Sequence, residues 1–296
     1  MNQQVTAVIV TYNRLALLKE SIAAVLNQTV PVANLIVINN HSTAETAAYL
    51  TTVQDKRLHA VNLPKNLGGA GGFTLGLQLA FNQTTSDLVW VMDDDTVPKP
   101  TALENLLAAA NTLQGQFSFL AANVRLTDGR PNNVPETTNN WSTKTAANLI
   151  QIQSASFVAL LVARPAVENV GLPLPEFFIW FDDIEFTRRL TRFAPAYLAL
   201  TAQVVHKTKG GREPDILTDD TARLPRYYYY FRNKYYLERT SNGKKGALKE
   251  TYRDLAKLAQ ILTQRQPERW QKAGLILRGW LAGKQFHPHV RHIKEK

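Results

Sequence analysis

The chain has no cysteine, which excludes disulfides, thiolate metal sites and a cysteine nucleophile, and accords with a reducing compartment. No apolar run approaches the roughly 20 residues that cross a bilayer. The opening "MNQQVTAVIVTYNR" has no basic residue ahead of its short apolar run, so neither a membrane span nor a secretory signal is expected. The glycine stretch "NLGGAGGF" lacks both the G-x-G-x-x-G pattern and the G-K-[ST] ending of the common phosphate-binding loops. Acid is in deficit as well: 24 Asp and Glu against 34 Lys and Arg leave a net charge of +10, which suggests an anionic partner such as a nucleic acid, a membrane surface or a phosphorylated substrate.

What is present is enough for a sizeable core, with 296 residues of which 45% are hydrophobic. "VTAVIV" at Val5 to Val10 is β-branched and almost wholly apolar, as a strand buried on both faces must be. Leu15 to Leu26 carries apolar residues at helical spacing, and "NLIVINN" repeats the buried-strand signature, so the opening is a βαβ unit. "RLHAVNL" is expected as a third strand. A glycine-rich turn then leads into a helix from about Phe73 to Phe81, and "DLVWVM" forms a fourth strand. A helix over Ala102 to Leu113, a strand near Phe117 to Val124, and strand character in "SASFVALLVARP" follow. Asp128 to Thr145 has little periodicity and is expected as a long loop over the site. A helix should begin near Asp182, and "AYLALTAQVVHK" should form a last pair of short strands.

In an open parallel sheet, ligands bind beyond the carboxyl ends of the strands, which gathers "TYNR", "NNHS", the glycine stretch and the aspartates of "VMDDDT" along one edge. Adjacent carboxylates there persist best when a divalent cation or hydrogen-bond donors neutralise them; the alternative is a helix cap or a solvated turn. The glycines either let backbone approach a ligand or supply a turn with positive φ. "WFDDIEF" sets Asp182, Asp183 and Glu185 among aromatics, as a general base with raised proton affinity or as a charged first helical turn, some of it paired with Arg188 or Arg189. His206 ends an apolar strand, where it is a structural histidine or a metal partner.

In their order, "VIVTYNR", "VINNHST", "NLGGAGGF", "VMDDDT", "FFIWFDDIEFTRRL" and "VVHKT" resemble the inverting glycosyltransferase family 2, and within it the rhamnosyltransferase and galactofuranosyltransferase branch. The resemblance implies a GT-A nucleotide-diphospho-sugar transferase fold of α/β class, with a mostly parallel central sheet and a C-terminal helical segment. It implies a UDP- or dTDP-sugar donor beside Thr11, Asn13, Arg14, Asn39, Asn40, Asn66, Gly68, Gly69, Gly71, Asp93 and Asp94. Asn39 departs from the family's usual aspartate. Mn²⁺ or Mg²⁺ would be held by Asp95, Asp93 and His206; Asp183 would be the catalytic base, with Asp182 and Glu185 as acceptor contacts or orienters and Trp180 and Phe181 beside the acceptor. Because the aspartates are adjacent, Asp182 and Asp183 stay open as alternatives for the base.

Composition changes near Pro225, dividing the chain into a catalytic domain (1–225) and a basic, aromatic helical segment (226–296) with breaks at "SNGKKG" and around Pro267. "RYYYYFRNKYY" in that segment is either a contact with an anionic membrane, through Arg226, Arg232 and Lys234, or a packing module. The expected protein is thus a cytoplasmic, peripherally membrane-associated glycosyltransferase extending a cell-surface glycan or a lipid-linked precursor. A sugar nucleotidyltransferase would need a glycine-rich basic loop after Val10, which is missing; a non-catalytic RNA-binding protein would leave the acidic rim without a task, so nucleic acid is not the expected partner.

Overall fold

The computed structural model describes residues 3–208, 214–264 and 267–294. The expected βαβ opening is present: β1 (Val5–Thr11), α1 (Leu15–Leu26), β2 (Asn34–Asn39), α2 (Ala44–Thr52) and β3 (Leu58–Asn62). Helix α3 (Gly68–Gln83) leads to β4 (Leu88–Asp93), a short β5 (Thr96–Pro98) and α4 (Ala102–Thr112). Then come β6 (Phe119–Arg125), β7 (Glu136–Thr137), β8 (Leu149–Ser154), β9 (Leu160–Ala163), α5 (Arg164–Val170), α6 (Asp182–Phe193) and β10 (Ala196–His206).

The strands form one sheet in the order β3-β2-β1-β4-β9-β6-β10-β8-β7, with β5 paired to β10. Its first four strands are parallel, whereas β9 runs antiparallel between β4 and β6. Every residue of β1 is buried, because helices cover both faces. Ala7 and Ile9 join Leu18, Ile22 and Leu103 on one side, and Val8 and Val10 join Phe73 and Leu77 on the other.

Two expectations need correction, and one open alternative is decided. The glycines form no turn before a helix at Phe73: α3 already begins at Gly68, and only Gly68 has positive φ (+72°) among the glycines of that stretch. Small residues instead seat the helix on the sheet, since a Cβ on Gly72 would lie 2.6 Å from a Val10 methyl and one on Gly76 2.4 Å from a Val8 methyl. Gly76→Ala should therefore destabilise by about 1–3 kcal/mol through overpacking, although Ala is the better helix former by about 1 kcal/mol. Gly274 has open space around its would-be Cβ. Gly274→Ala should then shift the urea midpoint the other way.

The second correction is that "AYLALTAQVVHK" is one strand of 11 residues, whose register against β6 shifts between Ala199 and Gln203. That irregularity breaks the alternation and imitates a boundary. The open alternative is the tyrosine run, which packs against the rest of the fold. Helix α7 (Tyr227–Thr263) carries Tyr227, fully buried against Trp180, and α8 (Arg269–Gln285) packs on it. Arg232 is buried beside Asn233, Lys234 pairs with Glu250 at 2.8 Å, and Arg226 turns to the cleft described below. Of the three cations, Arg232 is buried and Lys234 is half-buried in its ion pair, while Arg226 stays exposed at the rim of that cleft; of the two alternatives for the aromatic run, the ring contacts are those of a packing module.

The "SNGKKG" break appears as a reversal inside α7 at Gly243, where φ is +60°. Its two arms run side by side, as the Lys234–Glu250 pair and the close approach of Gly246 to the Glu238 carbonyl require. The expected break around Pro267 falls partly on residues 265–266, outside the described residues.

Candidate active site

The carboxyl ends of β1 and β4, the amino end of α3 and the loop before α6 enclose a cleft of about 240 Å³. Thr11, Arg14, Asn40, Asn66, Gly68, Gly69, Asp93 and Asp94 line it, so eight of the expected donor residues converge. Tyr12, Phe178 and Ile179 line it too and were not singled out from the sequence, and Arg226, considered there only as a membrane contact, joins them. Three expected donor residues lie elsewhere. Asn39 uses both ends of its amide internally, donating to Asn62 Oδ1 at 2.7 Å and accepting from the Ser42 N–H at 3.0 Å. Asn13, at φ +57°, ties the β1–α1 loop to Thr43 and Ser42. Gly71 turns toward Leu67 inside α3.

Asn40 supports the cleft wall, donating to the Gly68 carbonyl at 2.9 Å and accepting from Leu67 N–H at 2.8 Å. Gly68 must lack a side chain, because a Cβ there would lie 2.0 Å from the Phe178 carbonyl oxygen.

The three aspartates differ in environment. Asp94 accepts hydrogen bonds from Thr11 Oγ1 at 2.7 Å and from Tyr12 N–H at 3.3 Å. Burial pushes its pKa up to about 6 against the opposing pull of Thr11 and Arg14. Asp93 is driven well above the carboxylate range by burial first and then by the charges of Asp95 and Asp94. Asp95 moves the other way: burial opposes ionisation, but His206 and Arg14 outweigh it. Arg14 reaches Asp95 at 2.6 Å and Asp94 at 3.3 Å, and these carboxylates raise its own pKa although burial works against its charge.

His206 arrives through a pairing absent from the expected element list. The antiparallel register of β5 and β10 sets His206 opposite Thr96, one residue beyond Asp95, and brings Nε2 to 3.1 Å from Asp95 Oδ1. Its Nδ1 donates to Asn132 Oδ1 at 2.7 Å and Asn133 Oδ1 at 2.9 Å, which turns Nε2 toward the carboxylate. That contact is satisfied either by a proton on Nε2 or by a cation shared between the two side chains. Among the described residues no three acidic or histidine side chains converge as a complete metal shell. Asp95 and His206 therefore fit Mn²⁺ or Mg²⁺ as a partial shell, with Asp93 close by and the remaining positions left to ligand oxygens, as these ions often accept.

The loop before α6 separates this cleft from a second, of about 430 Å³. Phe178 and Ile179 face the first; Phe181 and Asp183 face the second, with Asn133 to Glu136 of the long loop opposite. Phe178, Trp180 and Phe181 all have positive φ, a strained backbone for aromatic residues. Asn233, completely buried, holds it by donating to the carbonyls of Phe177, Ile179 and Trp180 at 2.9 to 3.0 Å. Nothing in the sequence distinguishes this asparagine from its neighbours in the tyrosine run. Trp180 itself packs against Tyr227 and Tyr230 and does not line the second cleft.

Asp182 and Asp183 open α6. Burial, then the charge of Asp183, raises Asp182 to about 8; burial raises Asp183 to about 6 while the Ile184 N–H, 2.8 Å from its Oδ1, pulls down. Only Asp183 lines the second cleft, whereas Asp182 lies deep enough to interact with the charge of Asp93. Glu185 is held at both carboxylate oxygens by Arg189, at 2.6 and 2.9 Å, in the pairing anticipated from their spacing. Arg189 also binds the carbonyls of Val170 and Leu172, so Glu185 braces α6 rather than meeting a ligand.

The sequence profile of glycosyl transferase family 2 matches residues 6–164, from β1 through β9. The chain belongs to that family. This transferase is 31% identical over 261 residues to galactofuranosyltransferase GlfT1 of Mycolicibacterium smegmatis, an alignment covering 79% of this chain and 82% of the relative. Its fold is that of GT-A glycosyltransferases. It is similar to GalNAc-T7 solved with UDP, GalNAc and Mn²⁺, with a TM-score of 0.60 and 12% identity over 84% of this chain and 55% of that one. It is also similar to the mannosyltransferase PcManGT of Pyrobaculum calidifontis in complex with GDP-Man and Mn²⁺, with a TM-score of 0.56 and 15% identity over 95% and 87% of the two chains.

Proposed function

We propose that this glycosyltransferase is metal-dependent and inverting, and that it moves a sugar of galactofuranose or rhamnose type from a UDP- or dTDP-sugar to a hydroxyl of a cell-surface glycan or lipid-linked precursor. The galactofuranosyltransferase relative favours galactofuranose of the two sugars. One observation carries the reading. A cleft with cationic and acidic groups at the strand ends and a second cleft containing a raised carboxylate share one aromatic wall.

In this reading Arg14 and Arg226 bind the donor diphosphate, and Asn66 and Gly69 border the sugar. Asp183 accepts the proton of the acceptor hydroxyl. The acceptor oxygen then bonds to the anomeric carbon as the bond to the diphosphate breaks, the electron pair leaving with the diphosphate. Attack from the side opposite the leaving group inverts the centre. Asp95 and His206 would hold the divalent cation, whose contribution when bound is to stabilise negative charge on the departing diphosphate. A cytoplasmic place accords with the absence of cysteine.

Thermal unfolding with a panel of UDP- and dTDP-sugars and Mn²⁺ tests the donor. A ligand at 100 times its Kd should stabilise the fold by about 2.7 kcal/mol, and UDP-galactofuranose is expected to produce the largest shift. A shift with nucleoside triphosphates and none with sugar nucleotides would instead indicate a nucleotidyltransferase. Tight, salt-sensitive binding of single-stranded RNA without any sugar-nucleotide effect would indicate the RNA-binding alternative.

A further inference from the structure

The second arm of α7 and helix α8 present apolar residues to solvent. Leu248 (71% exposed), Tyr252 (75%) and Leu255 follow one another at helical spacing, as do Leu277 and Leu281. The two rows adjoin: Trp280 Nε1 donates to Thr251 Oγ1 at 3.0 Å, and Leu255 and Leu277 line one small cleft. Side chains of this size exposed in one band mark an interaction surface more than a solvated face.

The charges around the band have one sign. Lys244, Lys245, Lys249, Arg253, Arg278 and Lys284 are exposed on the same two helices. Between Thr240 and Phe286 the acids are Glu250, Asp254 and Glu268. Glu250 is 1% and Asp254 5% exposed, both turned into the hairpin, where Lys234 reaches Glu250 at 2.8 Å. Glu268 lies just before the amino end of α8. Folding thus hides the acids next to the band and leaves its rim cationic.

We infer that this face of α7 and α8 docks on an anionic lipid bilayer, with Leu248, Tyr252, Leu255, Leu277 and Leu281 entering the interface and the lysines and arginines meeting lipid headgroups. An amphipathic surface with Lys and Arg at its edge suits that boundary. A second copy of the chain suits it less, because a two-fold interface would set two cationic rims against each other. No described helix is long and apolar enough to cross a membrane, so the contact is peripheral. The inference needs nothing from the transferase site, but it would hold that site near a lipid-linked acceptor.

The test is cosedimentation of the full chain with phosphatidylcholine vesicles with and without phosphatidylglycerol. Binding is expected only with the anionic lipid and should weaken as salt rises. Each basic residue near such a surface strengthens partition roughly fivefold. Lys245→Gln, Lys249→Gln and Arg278→Gln combined should weaken it about a hundredfold. Leu248→Ser with Leu255→Ser and Leu281→Ser should reduce binding even at low salt. Both variants alter exposed positions and should keep the wild-type melting temperature and donor-induced shift. Equal binding to neutral and anionic vesicles, or binding unchanged in both variants, overturns the inference. So does a wild-type dimer that the serine variant makes monomeric without vesicle binding in either. Vesicle binding without any sugar-nucleotide shift would leave this surface standing while the proposed transfer reaction fails.

Discussion

Asp183→Asn is expected to lower transfer at saturating donor by about 10²–10⁴, the usual contribution of a general base, equivalent to roughly 3–5 kcal/mol of barrier. Donor affinity should stay within about twofold, because Asp183 opens to the second cleft and not to the one holding Arg14 and Asp94. Asp182→Asn is the informative neighbour. With its pKa near 8, Asp182 carries a proton at neutral pH, and an amide of the same shape reproduces that uncharged state. Turnover in Asp182→Asn should therefore remain near normal at pH 7.

The pH profile gives an independent check. Burial raises Asp183 to about 6, and the base works only when ionised, so the rate should fall about tenfold per unit below that pH and level off above it. Because the two carboxyls interact, the apparent values belong to the pair. Loss of turnover in Asp182→Asn with retention in Asp183→Asn would move the base by one residue. Activity in both would leave the carboxylates without a chemical task.

Most of the sheet was legible because β1, β2 and β4 are buried on both faces, which writes them as continuous apolar runs, whereas the exposed edge strand β3 showed only through its flanking turns. Helices α1 and α4 showed equally well, since each has one covered face. What escaped depends on distant contacts. Strand β5 has three residues and exists through its pairing with β10, so the neighbourhood of Asp95 and His206 could be expected from the family resemblance but not from spacing. The glycines of α3 carry no mark that distinguishes packing against Val8 and Val10 from a turn.

The gathering of Thr11, Arg14, Asn66, Asp93 and Asp94 follows from the strand-end rule, because it places loops without knowing their side chains. Arg226 and Asn233 could not be found that way. Both sit in a segment set apart by composition, yet one lines the donor-side cleft and the other holds the wall between the clefts. The same contacts give the tyrosine run its packing role: its rings meet Phe178, Trp180 and Phe181.

Asp95→Ala should weaken donor binding by about 10² and reduce transfer by 10³ or more, on the scale of the several kcal/mol that a divalent cation supplies to a departing phosphate. The substitution removes the one carboxylate bound by both Arg14 and His206 and leaves His206 Nε2 facing no anion at that place. Arg14 keeps Asp94 at 3.3 Å, so the loop after β1 should hold its position and the melting temperature should change little without ligand. Three measurements separate a metal site from an ion pair that only shapes the loop. Direct Mn²⁺ binding, followed by electron paramagnetic resonance, should be lost in Asp95→Ala and weakened in His206→Ala. Donor calorimetry should show that chelation weakens the wild type strongly and the variant hardly at all. Asp95→Asn, which keeps the shape and a neutral oxygen, should fall between wild type and Ala in Mn²⁺ affinity. If transfer by the wild type continues undiminished in excess chelator after metal removal is verified, the cation has no part in the reaction. Asp95 and His206 would then act with Arg14 alone, and the diphosphate would be neutralised by arginine.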